Sequence, residues 1–261
     1  MKEGQWALIA GSAEGLGEAF TTLLAAQGFN LILVDNQEQA LKNIAEKAGS
    51  SMGVKTVPLN LDLATEDAWQ TCMDAARDVD CSLLVYNAAM SEVKPFLDHD
   101  RESLERFIHV NNRTALLLVH AFAGHLREKK KPGRILLMSS LAGLMAPVYV
   151  APYAGSKAFL IALARSLFYE LRPYNIGLSV CCAGIINTPK FLESQPRMPV
   201  RMSDPFQVAE FALKCCGKKA VIIHGWMNRL NYFFISRFLP ASLSSYFVNR
   251  FMRKIYPTFD R

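Results

Sequence analysis

The chain reads as α/β: a single domain on a doubly wound parallel sheet of about seven strands, with a C-terminal amphipathic helical extension. Three observations predict this. Short, nearly continuous apolar runs recur with helix-length segments between them, and strands of a parallel sheet, covered on both faces, look like that. No linker, internal repeat or low-complexity stretch divides the 261 residues. The basic and aromatic residues are concentrated at the C-terminal end, past the last strand-like run. Residues 1–225 are therefore expected to form the main unit and 226–261 a basic, aromatic, helical extension.

The strands are expected at Ala7–Ala10, Leu31–Asp35, Lys55–Leu59, Leu83–Asn87, Arg134–Ser139, Gly177–Cys182 and Ala220–His224. The first is followed by Gly11-Ser-Ala-Glu-Gly15-Leu-Gly17 and then by a helical pattern, Glu18 to Gln27, that ends at Gly28. A strand, a glycine-rich turn and a helix make a cradle for a dinucleotide. The glycines let the backbone approach a pyrophosphate, and the helix N-terminus offers free N–H groups. Gly11, Ser12, Glu14, Gly15, Leu16 and Gly17 are the candidate contacts. A tight strand-to-helix turn is the plain alternative.

Asp35 closes the second strand, 18 residues past Gly17. A carboxylate there can accept from both ribose hydroxyls and repels a 2′-phosphate. Asn36 and Gln37 bring no positive charge, and Glu14 adds a negative one. NAD is therefore expected over NADP. The alternative for Asp35 is a cap on the next helix.

Tyr153 to Arg172 reads as one helix stopped by Pro173. Positions i and i+4 share a helix face, so Lys157 can lie under the phenol of Tyr153. A free tyrosine titrates near ~10, and a fixed ammonium favours the phenolate. Ser140 stands 13 residues before Tyr153.

Taken together, these residues resemble the short-chain dehydrogenase/reductase family over about residues 4 to 225. The glycine loop is similar to that family's first motif. Asp62 and Leu63, after the third strand, resemble its adenine-contacting pair. Asn87-Ala88 resembles its Asn-Ala-Gly turn, with Ala89 in place of glycine. Asn111, Ser140, Tyr153 and Lys157 match its catalytic tetrad. Ala183-Gly184-Ile-Ile186-Asn-Thr188 resembles a segment whose threonine meets the nicotinamide carboxamide, with alanine in place of proline. Ala10 stands where threonine is usual, so a hydroxyl that could brace the loop is missing.

The resemblance implies a Rossmann-type fold and interconversion of an alcohol and a ketone. Tyr153 then exchanges the proton, Ser140 holds the substrate oxygen, Lys157 lowers the tyrosine pKa and binds the nicotinamide ribose, and Asn111 holds a water. It also implies that Phe191 and Leu192 cover the substrate, with Leu144, Met145 and Tyr149 lining the same cleft. No Lys or Arg lies between Leu141 and Tyr153. The expected substrate is thus bulky and apolar, steroid-like or lipid-like. A 3-oxoacyl thioester reductase and a non-catalytic NAD-binding or membrane-associated scaffold are the alternatives. A homo-oligomer is expected.

The formal net charge is +6. From Lys218 onward there are eight basic residues and one acidic, so the rest of the chain carries a net −1. Ten of the 27 aromatics lie from Gly225 onward. Leu243, Tyr246, Phe247, Phe251 and Ile255 recur at helical spacing, as do Met227, Leu230, Phe234 and Phe238. Such stripes more often pack onto their own domain or a partner subunit, and that is the preferred reading. Peripheral membrane contact is the alternative. No nucleic-acid motif accompanies the charge. The first residues lead straight into a strand without a signal-peptide pattern, and no apolar run is long enough to span a bilayer. A cytoplasmic location, or one peripheral to the inner membrane surface, is expected. The six cysteines lack metal or redox spacing and read as reduced; no metal is expected.

Overall fold

In the computed structural model, which describes residues 4–238 and 240–259, seven parallel strands form one sheet. They are β1 (Trp6–Ala10), β2 (Asn30–Asp35), β3 (Thr56–Asn60), β4 (Cys81–Tyr86), β5 (Gly133–Ser140), β6 (Ile176–Ala183) and β7 (Val221–Ile223). Their order is β3-β2-β1-β4-β5-β6-β7. Each expected strand is present, with ends shifted by one or two residues. The order reverses direction between β1 and β4, and the crevice beyond the strand ends at such a switch point is where an open α/β sheet binds ligands.

Around the sheet lie helices α1 (Leu16–Ala26), α2 (Glu38–Met52), α3 (Ala68–Arg77), α4 (Arg101–Ile108), α5 (Thr114–Glu128), α6 (Ala142–Met145), α7 (Ala151–Glu170), α8 (Pro189–Glu193), α9 (Pro205–Cys215), α10 (Trp226–Phe238) and α11 (Ala241–Ile255), with a π-helical turn at His109–Arg113 and short 3-10 turns at Phe96–Asp98, Arg172–Tyr174 and Pro257–Phe259. Helix α7 starts two residues before Tyr153, because Pro152 has no N–H to lose in a first turn.

Alternation along the strands divides the core. Leu8 and Ala10 face the layer that contains α3, α5 and α7, whereas Ala7 and Ile9 face the layer that contains α1, α2 and α9. Cys182 and Cys181 part in the same way, one to each layer. All six cysteines are free, and burial raises the thiols of Cys72, Cys81, Cys182 and Cys216 to about 12. They are inert core residues.

The extension is helical, as expected, but its stripes do not simply pack onto the domain. Its far end does, for Ile255 and Tyr256 are buried, and at its start Met227 is half-buried and Asn228 lies against Gly184. Phe234, Phe238, Leu243, Tyr246, Phe247 and Phe251 remain exposed. The anchoring is polar as well as apolar, through Asn249 and Tyr256, and this frees the aromatic residues from holding the helices down. No helix among the described residues is long and apolar enough to cross a membrane.

Candidate active site

The glycine loop turns at the end of β1 and is braced from several sides. Gly11 has φ +77°, and a Cβ there would lie 2.6 Å from the Ala88 Cα. A Cβ on Gly17 would lie 2.1 Å from the Gly11 carbonyl oxygen. A side chain at Gly11 would force the β1 and β4 turns apart, and one at Gly17 would force α1 off the β1 turn. The Asn87 amide donates to the Gly11 carbonyl at 2.7 Å. The buried Ser12 hydroxyl donates to the Val34 carbonyl at 3.3 Å, and Thr21 donates to the Ser12 and Gly17 carbonyls. These hydroxyls supply the bracing that Ala10 lacks.

Helix α1 opens at Gly15 with no side-chain cap, and the Glu14 carbonyl accepts from the Gly17 N–H at 2.9 Å and the Glu18 N–H at 3.4 Å. Thr188 lies across the loop, its methyl 3.0 Å from where a Gly15 Cβ would stand. The turns after β1, β4 and β6 therefore converge, as the motifs required. An uncapped helix N-terminus at the switch point, in a loop too tight for side chains, fits the pyrophosphate of a nicotinamide dinucleotide.

At the other end of this groove, Asp35 accepts from the Ala13 N–H at 2.9 Å and the Gln37 N–H at 3.2 Å. It thus ties the loop to β2, while helix α2 opens at Gln37 with no side-chain cap, so the capping alternative for Asp35 does not hold. A carboxylate has about four acceptor sites, so two backbone bonds leave room for a ribose. Gln37 donates to Glu14 at 3.2 Å, which holds a second carboxylate beside the first. Asp62 turns elsewhere: it pairs with Arg106 at 2.9 Å and accepts from the Ala64 N–H at 2.9 Å. Leu63 buries its side chain in the core. The Asp62 side chain keeps 34% of its surface exposed.

The tetrad residues are held by backbone as much as by one another. Ser139 donates to the Lys157 carbonyl at 2.9 Å, and the Lys157 ammonium donates to the Met138 carbonyl at 2.8 Å. This reciprocal grip fixes α7 against the end of β5. Tyr153 is hydrogen-bonded to Ser140, whose oxygen also accepts from the Ala142 N–H at 3.1 Å. Lys157 Nζ lies 5.5 Å from the Tyr153 ring centroid. Asn111 is fully buried in the π-helical turn. Its amide oxygen accepts from the Met90 N–H at 2.7 Å, and its nitrogen donates to the Met90 carbonyl and the Ser156 hydroxyl. Asn111 thereby clamps the β4 turn to α7.

One electrostatic expectation is reversed. Burial raises the Tyr153 phenol above its ordinary value, opposed by the bond from Ser140. Burial also lowers Lys157, from 10.5 to about 8. Desolvation outweighs the pull of the neighbouring ammonium, which is directed at the Met138 carbonyl. The group that eases the phenol's ionisation is Ser140.

Of the expected substrate residues, Leu144, Met145, Tyr149 and Phe191 are half-buried, whereas Leu192 is largely exposed. Ala146 and Tyr149 have left-handed backbone, φ 47° and 67°, an uncommon and strained conformation for side-chain-bearing residues. They bracket the loop between Ser140 and Tyr153, and the Lys94 N–H holds its turn by donating to the Tyr149 carbonyl at 2.8 Å. Gly184 and Ile186 lie where β6 leaves the sheet; Ile186 packs against the core and bridges to Ser203.

Sequence reasoning missed several positions. At Gly143 a Cβ would stand 2.7 Å from the Lys157 carbonyl carbon, so only glycine lets α6 rest on α7. It lies in the same Ser-Ser-Leu-Ala-Gly run as Ser140, which was the available signal. Asn249, Tyr256 and Phe259 reach the cleft rim from the extension. The Asn249 side-chain amide oxygen accepts from the Val148 N–H at 3.0 Å, Tyr256 bonds Ser194 at 2.7 Å, and the Tyr149 and Phe259 rings lie 5.2 Å apart. No local pattern marks these residues, because their partners are about sixty to a hundred positions away in the chain.

Comparison with known proteins agrees with this geometry. A family model described as short chain dehydrogenase matches residues 5–198. A 7beta-hydroxysteroid dehydrogenase of Clostridium sardiniense is 29% identical over 231 residues, 87% of this chain and 88% of that one. A very-long-chain 3-oxoacyl-CoA reductase of Meyerozyma guilliermondii is 32% identical over 197 residues, 72% of this chain. The match spans only 58% of that reductase's length. A solved structure of a 7beta-hydroxysteroid dehydrogenase superposes with a TM-score of 0.87 at 25% identity, covering 95% of this chain and 97% of the other. A Sphingobium yanoikuyae short-chain dehydrogenase in complex with NADPH has a TM-score of 0.79 at 22% identity, over 89% and 93% of the two chains, a likeness of fold alone.

Proposed function

The chain belongs to the short-chain dehydrogenase family, and from that premise we propose that it interconverts a secondary alcohol and a ketone on a bulky apolar substrate, steroid-like or lipid-like, using NAD(H). The observation that carries the reading is the grip between β5 and α7: Ser140, Tyr153 and Lys157 meet in one cluster, and Asn111 ties the neighbouring turn to it.

A bound nicotinamide dinucleotide supplies the hydride acceptor or donor. Gly11 to Gly17 hold its pyrophosphate, Asp35 its adenosine ribose, Asn87 and Ala88 the floor beneath it, and Thr188 with Gly184 and Ile186 the nicotinamide end. Asp62 and Leu63 contribute to the adenine end through backbone. Tyr153 takes the hydroxyl proton of the alcohol, or returns it to the ketone oxygen. Ser140 holds that oxygen while its charge changes. Lys157 offers its ammonium to the nicotinamide ribose and, by titrating near neutrality, can pass on the proton. The preference for NAD rests on Asp35 and Glu14, which set two carboxylates where a 2′-phosphate would lie.

Leu144, Met145, Tyr149, Phe191 and Leu192 give the cleft its apolar character. The similarity to the Clostridium enzyme supports a steroid-like substrate, and the similarity to the Meyerozyma reductase supports a long-chain acyl one. A homo-oligomer belongs to the same reading, since Ile108, Leu116, Phe159 and Tyr169 are exposed on the outer faces of α4, α5 and α7.

The test is a panel of hydroxysteroids, long-chain 3-oxoacyl thioesters and simple alcohols with their ketones, followed by NADH absorbance and repeated with NADP(H). Turnover of a bulky apolar member with NAD(H) preferred is the expected result. NADH binding without turnover across the panel would leave a non-catalytic binding module in its place.

A further inference from the structure

We infer that helices α10 and α11 form a docking surface for an anionic lipid bilayer, with the rim of the cleft set at the membrane face. The inference rests on the proposed apolar substrate only for its purpose, not for its geometry.

Among the described residues, nine of the nineteen exposed large hydrophobic ones fall between Trp226 and Phe251. Seven are aromatic: Trp226, Phe233, Phe234, Phe238, Tyr246, Phe247 and Phe251. The rings of Phe233, Phe234 and Phe238 lie 5.6 to 6.0 Å from one another and form an exposed cluster. A contiguous exposed apolar patch marks an interaction site. Aromatic side chains are the ones enriched at the membrane interface, where one part meets acyl chain and another meets water.

Charge decides which partner. Among described residues from Trp226 onward there are five basic side chains, Arg229, Arg237, Arg250, Arg253 and Lys254, all exposed, and no acidic ones. A second copy docking by the same face would bring these cations together, since a two-fold interface is self-complementary. An anionic bilayer neutralises them. Arg and Lys stems can lie along the apolar surface while the charged ends reach phosphate. Each such residue near an anionic surface strengthens binding by roughly fivefold.

The surface is continuous with the cleft. From the same extension, Asn249 holds Val148, Ile255 accepts from the Arg197 N–H at 3.0 Å, Tyr256 holds Ser194, and Phe259 stacks by Tyr149. A bilayer bound at α10 and α11 therefore lies beside the loops that cover the substrate. An apolar molecule dissolved in that bilayer reaches the cleft without crossing bulk water.

The experiment is vesicle sedimentation of the full chain, with phosphatidylglycerol/phosphatidylcholine vesicles against phosphatidylcholine alone, at low and high salt. Two variants accompany it: Phe234→Ser/Phe238→Ser/Phe247→Ser and Arg237→Ser/Arg250→Ser/Lys254→Ser. The expected result is co-sedimentation with the anionic vesicles only, weakened by salt and reduced at least tenfold in each variant. NADH binding in the absence of vesicles should be unchanged, which shows that both variants are folded. No sedimentation of the wild-type chain at low salt, or equal sedimentation with both vesicle types, overturns the inference. So does analytical ultracentrifugation in which the Phe variant alone drops to a smaller oligomer, for then a second copy covers the patch. Vesicle binding is read without turnover, so an inactive chain that binds vesicles counts against the proposed reaction and not against the docking surface.

Discussion

The end of β5 with α7 and the pair α10–α11 border the same cleft and are built in opposite ways. In the first region the buried polar groups have fixed partners: Ser139 on the Lys157 carbonyl, Lys157 on Met138, Asn111 on Met90 and Ser156. Lys157 is 3% exposed and Asn111 0%. In the second region the large side chains face outward, and four contacts at its far end join it to the rim. Chemistry that moves a proton needs groups that do not move. A surface that meets a partner needs apolar area that the fold leaves uncovered. The difference implies that changes in the first region act on rate and stability together, and changes on the exposed aromatic face of the second act on neither.

The largest expected effect is that of Tyr153→Phe. A positioned general acid/base contributes about 10²–10⁴-fold, and without the phenolic oxygen no other group takes the proton. Turnover of the best substrate should fall by roughly a thousandfold, while NADH titrated by fluorescence binds as in the wild type. Near wild-type rates would remove Tyr153 from the reaction.

Lys157→Met probes the cost of burying a charge. The folded chain lowers Lys157 from 10.5 to about 8. Between those values the unfolded chain holds a proton that the folded chain lacks, so this residue's contribution to stability rises with pH across that window. The buried cysteines act in the opposite direction above 9, since Cys72, Cys81, Cys182 and Cys216 are raised to about 12. Subtracting the variant's stability from the wild type's cancels Cys72, Cys81 and Cys216, and measuring the difference up to pH 9 keeps Cys182, which lies in the field of Lys157, out of it. The difference, from urea melts, should move in favour of the wild type by about 1 kcal/mol between pH 8 and pH 9. A flat difference would mean that Lys157 is solvated in the folded chain.

These two regions were not equally legible in the sequence. The seven strands were, because a parallel sheet writes its burial as continuous apolar runs. The clustering of Ser140, Tyr153 and Lys157 was, because they are near neighbours in sequence and i,i+4 spacing sets a face. Direction of charge was not. That burial outweighs the Lys157–Tyr153 pairing depends on how much protein surrounds both, which no four-residue pattern records. Asp62 shows the same limit: its place after β3 was readable, but its partner Arg106 comes from α4, and the pairing exists only once the two pack. In the extension, the stripes and the charge were visible at once. What was not visible is that Asn249 and Tyr256 do the anchoring and leave the aromatic residues outside.

That anchoring can be weakened gently. Ser194 donates its single proton to the Phe191 carbonyl at 2.6 Å, so Tyr256 is the donor in the bond between them. Tyr256→Phe removes that donor and leaves Ser194 still partnered. The loss should be about 1 kcal/mol in thermal or urea melts. Because Ser194 follows the segment that carries Phe191 and Leu192, KM for a bulky substrate should rise a few-fold while kcat stays put. A fall in kcat with KM unchanged would place Tyr256 nearer the proton transfer than its contacts suggest.

Phe238→Ser should have the smallest effect and is the most discriminating about the extension. Phe238 is 64% exposed and touches Phe233 and Phe234. An exposed ring surrounded by other exposed rings adds little to folding, and surface substitutions of this kind stay within about 0.5 kcal/mol. The melting temperature in plain buffer should therefore not change. A large loss would mean that the ring is covered in solution, and the cover would have to be protein, since nothing else is present. An unchanged melt, together with a chain that no longer follows anionic vesicles, separates the two jobs cleanly: the far end of the extension holds the fold, and the aromatic face is held in reserve for a surface outside the molecule.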